Sequence, residues 1–213
     1  MYLSRVKIDT NNRQKIRDLT HVGAYHNWVE QAFPDEMAAG VRSRKLWRID
    51  HVAGQDYLLV VSEQQPDLAL LERYGVPGSA ETKVYDQFLD QLYDGQKLRF
   101  RVTLNPVISK SRAASGQRGR VMPHVTVDHQ MNFLKARAEK NGFHLSENEF
   151  YIKDSGFVLF KKTGQRDLRL TKVTYEGLLT ISDLDQFKTS LTQGFGKKKA
   201  YGFGLLTVIP VEQ

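Results

Sequence analysis

The sequence of 213 residues contains no cysteine. That absence excludes disulfide scaffolds, Cys-ligated zinc, iron–sulfur clusters and thiol nucleophiles. No apolar run approaches the roughly 18 residues that a membrane-spanning helix needs, so no membrane partner is expected. The opening MYLSRVKIDT alternates like a strand and lacks the apolar centre of a signal peptide. Histidine is scarce: His21, His26, His51, His124, His129 and His144 are the full set. None falls in HExxH or another compact ligand spacing, so neither a metal site nor a cofactor is expected. No Ser-based triad signature is present. The composition that remains, 40% hydrophobic and 26% charged, fits a cytoplasmic globular protein, monomeric in isolation, with a core in one large domain or two of ~100 residues.

Positive charge is in excess, and it is unevenly placed. Residues 1–100 carry 13 Lys and Arg against 14 Asp and Glu, net −1; residues 101–213 carry 18 against 10, net +8. The sum is the +7 of the whole chain. A polyanion bound to the second half would explain the asymmetry, and a merely basic surface is the competing explanation.

Hydrophobic periodicity divides the chain into two similar runs. In the first, Tyr2–Asp9 reads as a strand, and Asn11 and Asn12 offer caps for a helix from Arg13. A second helical stretch covers Tyr25 to Ala39. Lys45–His51 and Asp56–Ser62 read as strands joined through Gly54, followed by a helix over DLALLERYG and a short strand at Thr82–Tyr85. The order restarts after Asp94-Gly95 with the alternating KLRFRVTLN, a polar loop at 111–120 and a helix from Asp128 to Asn141. Strands at Phe157–Lys162 and Leu168–Ile181 follow, then a helix opened by the capping-box pattern Ser182-x-x-Asp185, and a last strand at Leu205–Val211. The expected fold is α+β, two tandem ferredoxin-like (RRM-like) βαββαβ domains at residues 1–92 and 96–213.

The most unusual stretch is the Gly-rich loop with Gly194, Gly196, Gly202 and Gly204 around Lys197, Lys198 and Lys199. It follows a helix and precedes a strand, the reverse of a dinucleotide-binding turn, and it lacks the Gly-Lys-Ser/Thr of a P-loop. Exposed amides beside lysines suit phosphate; a tight helix-to-strand connection is the alternative. Tyr201-Gly-Phe-Gly-Leu-Leu-Thr-Val208 resembles an RNP1 stretch but lacks its basic residue and its stacking aromatics, which argues against base-stacking on the sheet. His26, next to Tyr25 and just after Gly23, is a candidate acid or base near neutral pH.

Taken together, these pieces resemble the CasE family, the repeat-processing endoribonucleases of type I-E CRISPR systems. The marks are Met1-Tyr-Leu-Ser, His26 with Phe33-Pro34, Leu98-Arg-Phe-Arg-Val-Thr-Leu-Asn-Pro106, Val173 to Asp183, and Gly194-x-Gly196-x-x-Lys199-x-x-Gly202-x-Gly204. The resemblance implies metal-free cleavage of precursor CRISPR RNA at the base of a repeat stem-loop, by attack of a 2′-hydroxyl on the adjacent phosphorus. It also implies retention of the product within the Cascade complex. The family's essential histidine maps to His26, as general base or acid. A tyrosine three residues earlier in some members is Gly23 here, with Tyr25 adjacent to the histidine instead. An RNA hairpin gripped by the second domain implicates Lys161, Lys162 and Arg166, with Lys135 and Arg137 on the preceding helix. Arg118, Arg120 and Lys197–Lys199 add phosphate contacts by charge and position. The competing function is a tandem RRM-like protein that holds structured RNA without cutting it.

Overall fold

A computed structural model describes residues 1–110, 120–161, 164 and 166–211. The first half runs β1 (Tyr2–Lys7), α1 (Arg13–Ile16), α2 (Val22–Gln31), α3 (Pro34–Ala38), β2 (Lys45–Val52), β3 (Gln55–Ser62), α4 (Leu68–Leu71) with a 3₁₀ turn at Glu72–Tyr74, β4 (Glu81–Val84) and α5 (Asp86–Leu89). Its strands form an antiparallel sheet in the order β2-β3-β1-β4. Asn12 caps α1 by accepting from the Lys15 amide, as its residue type favours.

The continuous helix expected over Tyr25–Ala39 is two helices. Pro34 at the start of α3 has no N–H, and its ring would clash with a helical carbonyl four residues back, so α2 stops at Gln31 and the chain turns.

The second half runs β5 (Lys97–Leu104), β6 (Val107–Lys110), β7 (Arg120–Pro123), α6 (Val127–Ala138) with a 3₁₀ turn at Glu139–Asn141, β8 (Phe143–His144), β9 (Phe150–Phe160), β10 (Leu168–Ile181), α7 (Leu184–Gln193), a 3₁₀ turn at Lys199–Tyr201 and β11 (Leu206–Pro210). The main sheet is ordered β11-β5-β10-β8, with β9 also paired to β10. In the first half β4 lies beside β1, β1 beside β3, and β2 at the far edge; in the second β11 lies beside β5, β5 beside β10, and β9 on the other side of β10. That order of antiparallel strands is the ferredoxin-like arrangement, reached twice.

Three local readings need correction. Arg120 begins β7, which pairs with β6 in a two-stranded ribbon; the rest of the expected loop, with Arg118, lies outside the described residues. β9 starts at Phe150, seven residues before the expected Phe157. Its polar segment through Asp154 and Ser155 hides the alternation, and pairing with β10 holds it extended across an irregularity at Thr174/Tyr175. The α7 cap is Asp183, which accepts from the Gln186 amide at 3.0 Å, while the Ser182 hydroxyl donates to Glu139.

Apolar packing does not respect the halves. Leu46 and Val61 of the first sheet pack with Phe100 and Leu104 of the second, while Leu170 and Phe203 join Trp28, Trp47 and Leu58. Arg48, 2% exposed, crosses the seam with five hydrogen bonds. Nε and Nη2 donate to the two Asp50 oxygens at 2.6 and 2.8 Å; Nη1 donates to the Arg101 and Leu205 carbonyls; Nη2 also reaches Thr207 Oγ1.

Candidate active site at the seam of the two halves

Helix α2 positions His26. The His21 ring caps it by accepting from the Gly23 amide at 3.1 Å. A Cβ at Gly23 would sit 2.8 Å from that ring, so this cap geometry needs glycine. Trp28, Val29 and Ala32 are buried and fix the rotation of the helix. This leaves His26 and Glu30, one turn apart, on its flank. The imidazole Nδ1 is 3.9 Å from Glu30 Oε1, and the His26 side chain is 27% exposed.

The opposite wall of the site comes from the second half of the chain. The Tyr201 ring meets the imidazole edge-on at 5.4 Å between centroids. Phe160 packs on Tyr201 at 4.5 Å, and the Lys198 ammonium lies 5.8 and 5.9 Å from those two ring centres. Burial holds the imidazole below its ordinary pKa; Glu30 opposes the shift, while Arg42 and Lys45 reinforce it. At pH 7 His26 is therefore predominantly neutral, with a lone pair free to accept a proton.

The Gly-rich loop builds this wall through its backbone. Gly202 and Gly204 have φ of 84° and 83°, and Lys198 is itself left-handed at 65°. A Cβ on Gly202 would lie 2.7 Å from the Trp47 ring, whose Nε1 donates to the Ala200 carbonyl at 3.0 Å. Lys199 turns inward and donates to the Gln193 and Gly194 carbonyls at 2.9 and 3.2 Å. Gly194 and Gly196 also take positive φ. The tight-connection reading thus accounts for the glycines and for Lys199, and it leaves Lys197 and Lys198 exposed. In the RNP1-like stretch, Phe203, Leu205 and Leu206 are buried and the strand starts only at Leu206.

The structure distributes the remaining predicted residues unequally. Tyr25 stacks on Trp47 at 5.9 Å and tilts against Trp28. Burial, and then the Asp56 charge, push its phenol up. It is a packing residue on the same helix as His26. Lys161 and Arg166 are exposed at the outer end of the β9–β10 hairpin. The Lys161 carbonyl lies 3.5 Å from the Cβ position of Gly23, which sets the hairpin beside the start of α2. Lys162 lies outside the described residues. On α6, Lys135 pairs with Glu147 at 3.3 Å, and Arg137 lies 3.5 Å over the Phe133 ring while donating to the Phe133 carbonyl. Of Arg120 only the backbone, in β7, is described.

Sequence reasoning missed Tyr201, Phe160, Glu30 and Lys45 as members of the site. Glu30 alone left a local signal, the four-residue spacing from His26; the others arrive through tertiary packing. A groove of about 580 Å³ on the second sheet, lined by Arg48, Asp50, Arg101, Tyr151 and Glu176 among others, does not include His26.

Fold and site define a class: a tandem ferredoxin-like protein with a half-buried histidine at the seam of its halves. The chain belongs to the CRISPR associated protein family, which matches residues 1–210. It is 31% identical over 221 residues to the CRISPR-associated endoribonuclease Cse3 of Thermus thermophilus, covering 99% of this chain and all of that protein. Thermus thermophilus Cse3 bound to an RNA representing a pre-cleavage complex superposes with a TM-score of 0.79 at 27% identity, covering 98% of each chain. The CRISPR-associated protein Cas6e from Escherichia coli str. K-12 shares the fold, with a TM-score of 0.60 at 22% identity over 99% of this chain and 100% of that one.

Proposed function

We propose that this protein is a metal-independent endoribonuclease that cleaves precursor CRISPR RNA within each repeat, at the base of the stem-loop. It then stays with the product as a cytoplasmic subunit of the Cascade complex. The observation that carries the reading is the placement of His26 at the seam of the halves, edge-on to the Tyr201 ring that Lys198 flanks, where the basic hairpin end meets α2. The curated relative is an endoribonuclease, and a solved relative holds RNA before cleavage.

In the reaction the 2′-oxygen forms a bond to phosphorus while the bond to the 5′-oxygen breaks. The 2′-hydroxyl surrenders a proton and the leaving 5′-oxygen gains one. The products are a 2′,3′-cyclic phosphate and a 5′-hydroxyl. His26 makes one of the two proton transfers, and its depressed pKa suits acceptance at neutral pH. Lys198, an exposed cation of the Gly-rich loop beside the Tyr201 ring, offsets charge that builds on the phosphorane. Lys161, Lys162 and Arg166 hold the stem through phosphates, with Lys197, Arg118, Arg120, Lys135 and Arg137 as further contacts.

The test is incubation of the isolated protein with its cognate repeat RNA in excess EDTA, with the ends of the products identified. A single cut leaving a 5′-hydroxyl and a cyclic phosphate supports the reading. RNA bound tightly but left intact would instead establish the non-catalytic RNA-binding alternative. Cleavage restored only by a divalent ion would remove the metal-free mechanism.

A further inference from the structure

Behind His26 lies a chain of charged groups that solvent barely reaches. Lys45, 5% exposed on β2, places its ammonium 2.5 Å from Glu36 Oε2 and 3.7 Å from Glu30 Oε2. The same ammonium sits 4.8 Å over the Phe33 ring. Glu36, 4% exposed, also accepts from the Ser43 amide at 3.0 Å and the Ser43 hydroxyl at 2.5 Å. Its carboxylate is therefore fully engaged. A buried lysine paired with a carboxylate leaves an uncompensated charge when either partner is removed. This one is also set against a second carboxylate, Glu30, whose other oxygen faces the His26 Nδ1.

We propose that Glu30, anchored by Lys45, is a positioning residue that holds His26 with its proton on Nδ1 and its Nε2 lone pair directed to the substrate side. The inference rests on the endoribonuclease reading and names what orients its histidine. The Lys45 ammonium draws one Glu30 oxygen towards it across 3.7 Å, which leaves the other oxygen on the imidazole side. An imidazole that donates to it from Nδ1 has only Nε2 left as an acceptor. At 3.9 Å the pair is an ion-pair contact, about 1 Å longer than a hydrogen bond, so a small side-chain rotation closes it. The wall formed by Tyr201 limits movement of the ring in the other direction.

Among the described residues, the charged and titratable groups around the imidazole are few. Glu30 lies on its own helix, Arg42 and Lys45 on the segment leading into and opening β2, Lys198 and Tyr201 on the Gly-rich loop, and Lys161 at the end of β9. Glu30 is the one among them whose charge raises the imidazole pKa. Its removal should therefore move the titration of His26 further down.

The test is ¹⁵N NMR of imidazole-labelled protein, titrated with pH, for wild type and Glu30→Gln. The Gln side chain keeps the size of Glu30, and Lys45 keeps Glu36. The expected wild-type spectrum has neutral His26 protonated on Nδ1. In E30Q that tautomer preference weakens, and the midpoint moves to lower pH. Single-turnover cleavage by E30Q should fall at least about tenfold, its pH profile shifting in the same sense, with unchanged affinity for a 2′-deoxy hairpin. Neutral wild-type His26 protonated on Nε2 would overturn the proposal without any variant. Tautomer and midpoint unmoved in E30Q would overturn it equally. A His26→Ala protein that cleaves normally would sink the endoribonuclease reading of the site while leaving the spectroscopic result intact.

Discussion

Replacing Arg48 by Met should unlock the two halves. The substitution keeps an unbranched apolar stem but deletes all five hydrogen bonds of a guanidinium 2% exposed. Two carbonyls, the Thr207 hydroxyl and both Asp50 oxygens lose a donor. Breaking a buried ion pair from one side costs about 3–5 kcal/mol. Asp50 retains Arg101 at 3.4 Å, which places the expected loss near the lower end. For a chain of this size, each kcal/mol is worth roughly 2–4 °C, so the melting temperature should fall by roughly 6–12 °C.

Acid should narrow that gap. Burial alone would push Asp50 up, but the Arg48 hydrogen bonds and the charges of Arg48 and Arg101 outweigh it and hold the carboxyl below its ordinary value. Its stabilising contribution is thus present above the unfolded pKa of about 3.9 and is lost as pH falls through the folded value. Without Arg48 much of that contribution is already gone, so the variant has less to lose. Thermal and urea unfolding at pH 7 and at about pH 2.5, below the unfolded carboxyl pKa, measure both effects, and R48M/D50N should be less damaged than R48M because no ill-matched buried charge remains. A loss under about 1 kcal/mol for R48M, or a double variant less stable than the single one, would refute the reasoning.

Other substitutions probe the site itself. Lys161→Glu with Lys162→Glu should weaken hairpin binding and reduce the slope of log affinity against log salt by roughly 1–2, as expected for lost phosphate contacts; a filter-binding series at several salt concentrations reads it. Gly202→Ala forces a Cβ against Trp47 at a φ of 84°. It should cost roughly 2 kcal/mol of stability and reduce cleavage more than binding, because the displaced loop carries Tyr201 and Lys198. Tyr25→Phe should leave single-turnover cleavage within about threefold of wild type, since the Tyr25 ring is packed against Trp47 and Trp28 and removing the hydroxyl spares that packing.

Much of this architecture was legible in the sequence, because its strands alternate and its helices are capped by residues of the right type. Leu168–Ile181 agrees with β10 end to end. The β6–β7 ribbon escaped because Val107–Lys110 and Arg120–Pro123 are too short for a periodicity to register. The start of β9 escaped because Asp154 and Ser155 pair with β10 through the backbone, which side-chain pattern does not report. At the site, His26 could be singled out by its neighbours and by family resemblance. Its surroundings could not. Tyr201 lies 175 positions further along the chain, and Lys45 reads as an ordinary strand lysine until Glu36 and Glu30 close around it. The phosphate reading of the Gly-rich loop rests on its exposed amides and its lysines; the positive φ values and the Trp47 contact that explain the glycines are tertiary facts.

The central claim is that His26 carries chemistry while the basic hairpin carries binding. Single-turnover cleavage of a repeat RNA by His26→Ala at saturating enzyme, beside binding of a 2′-deoxy substrate that cannot react, tests it most directly. The account predicts a fall in cleavage of at least roughly a hundredfold, with hairpin affinity changed by less than about 1 kcal/mol because the Lys and Arg contacts remain. Cleavage at the wild-type rate would remove His26 from the mechanism, and equal loss of binding and cleavage would make it a residue that positions RNA or supports the fold.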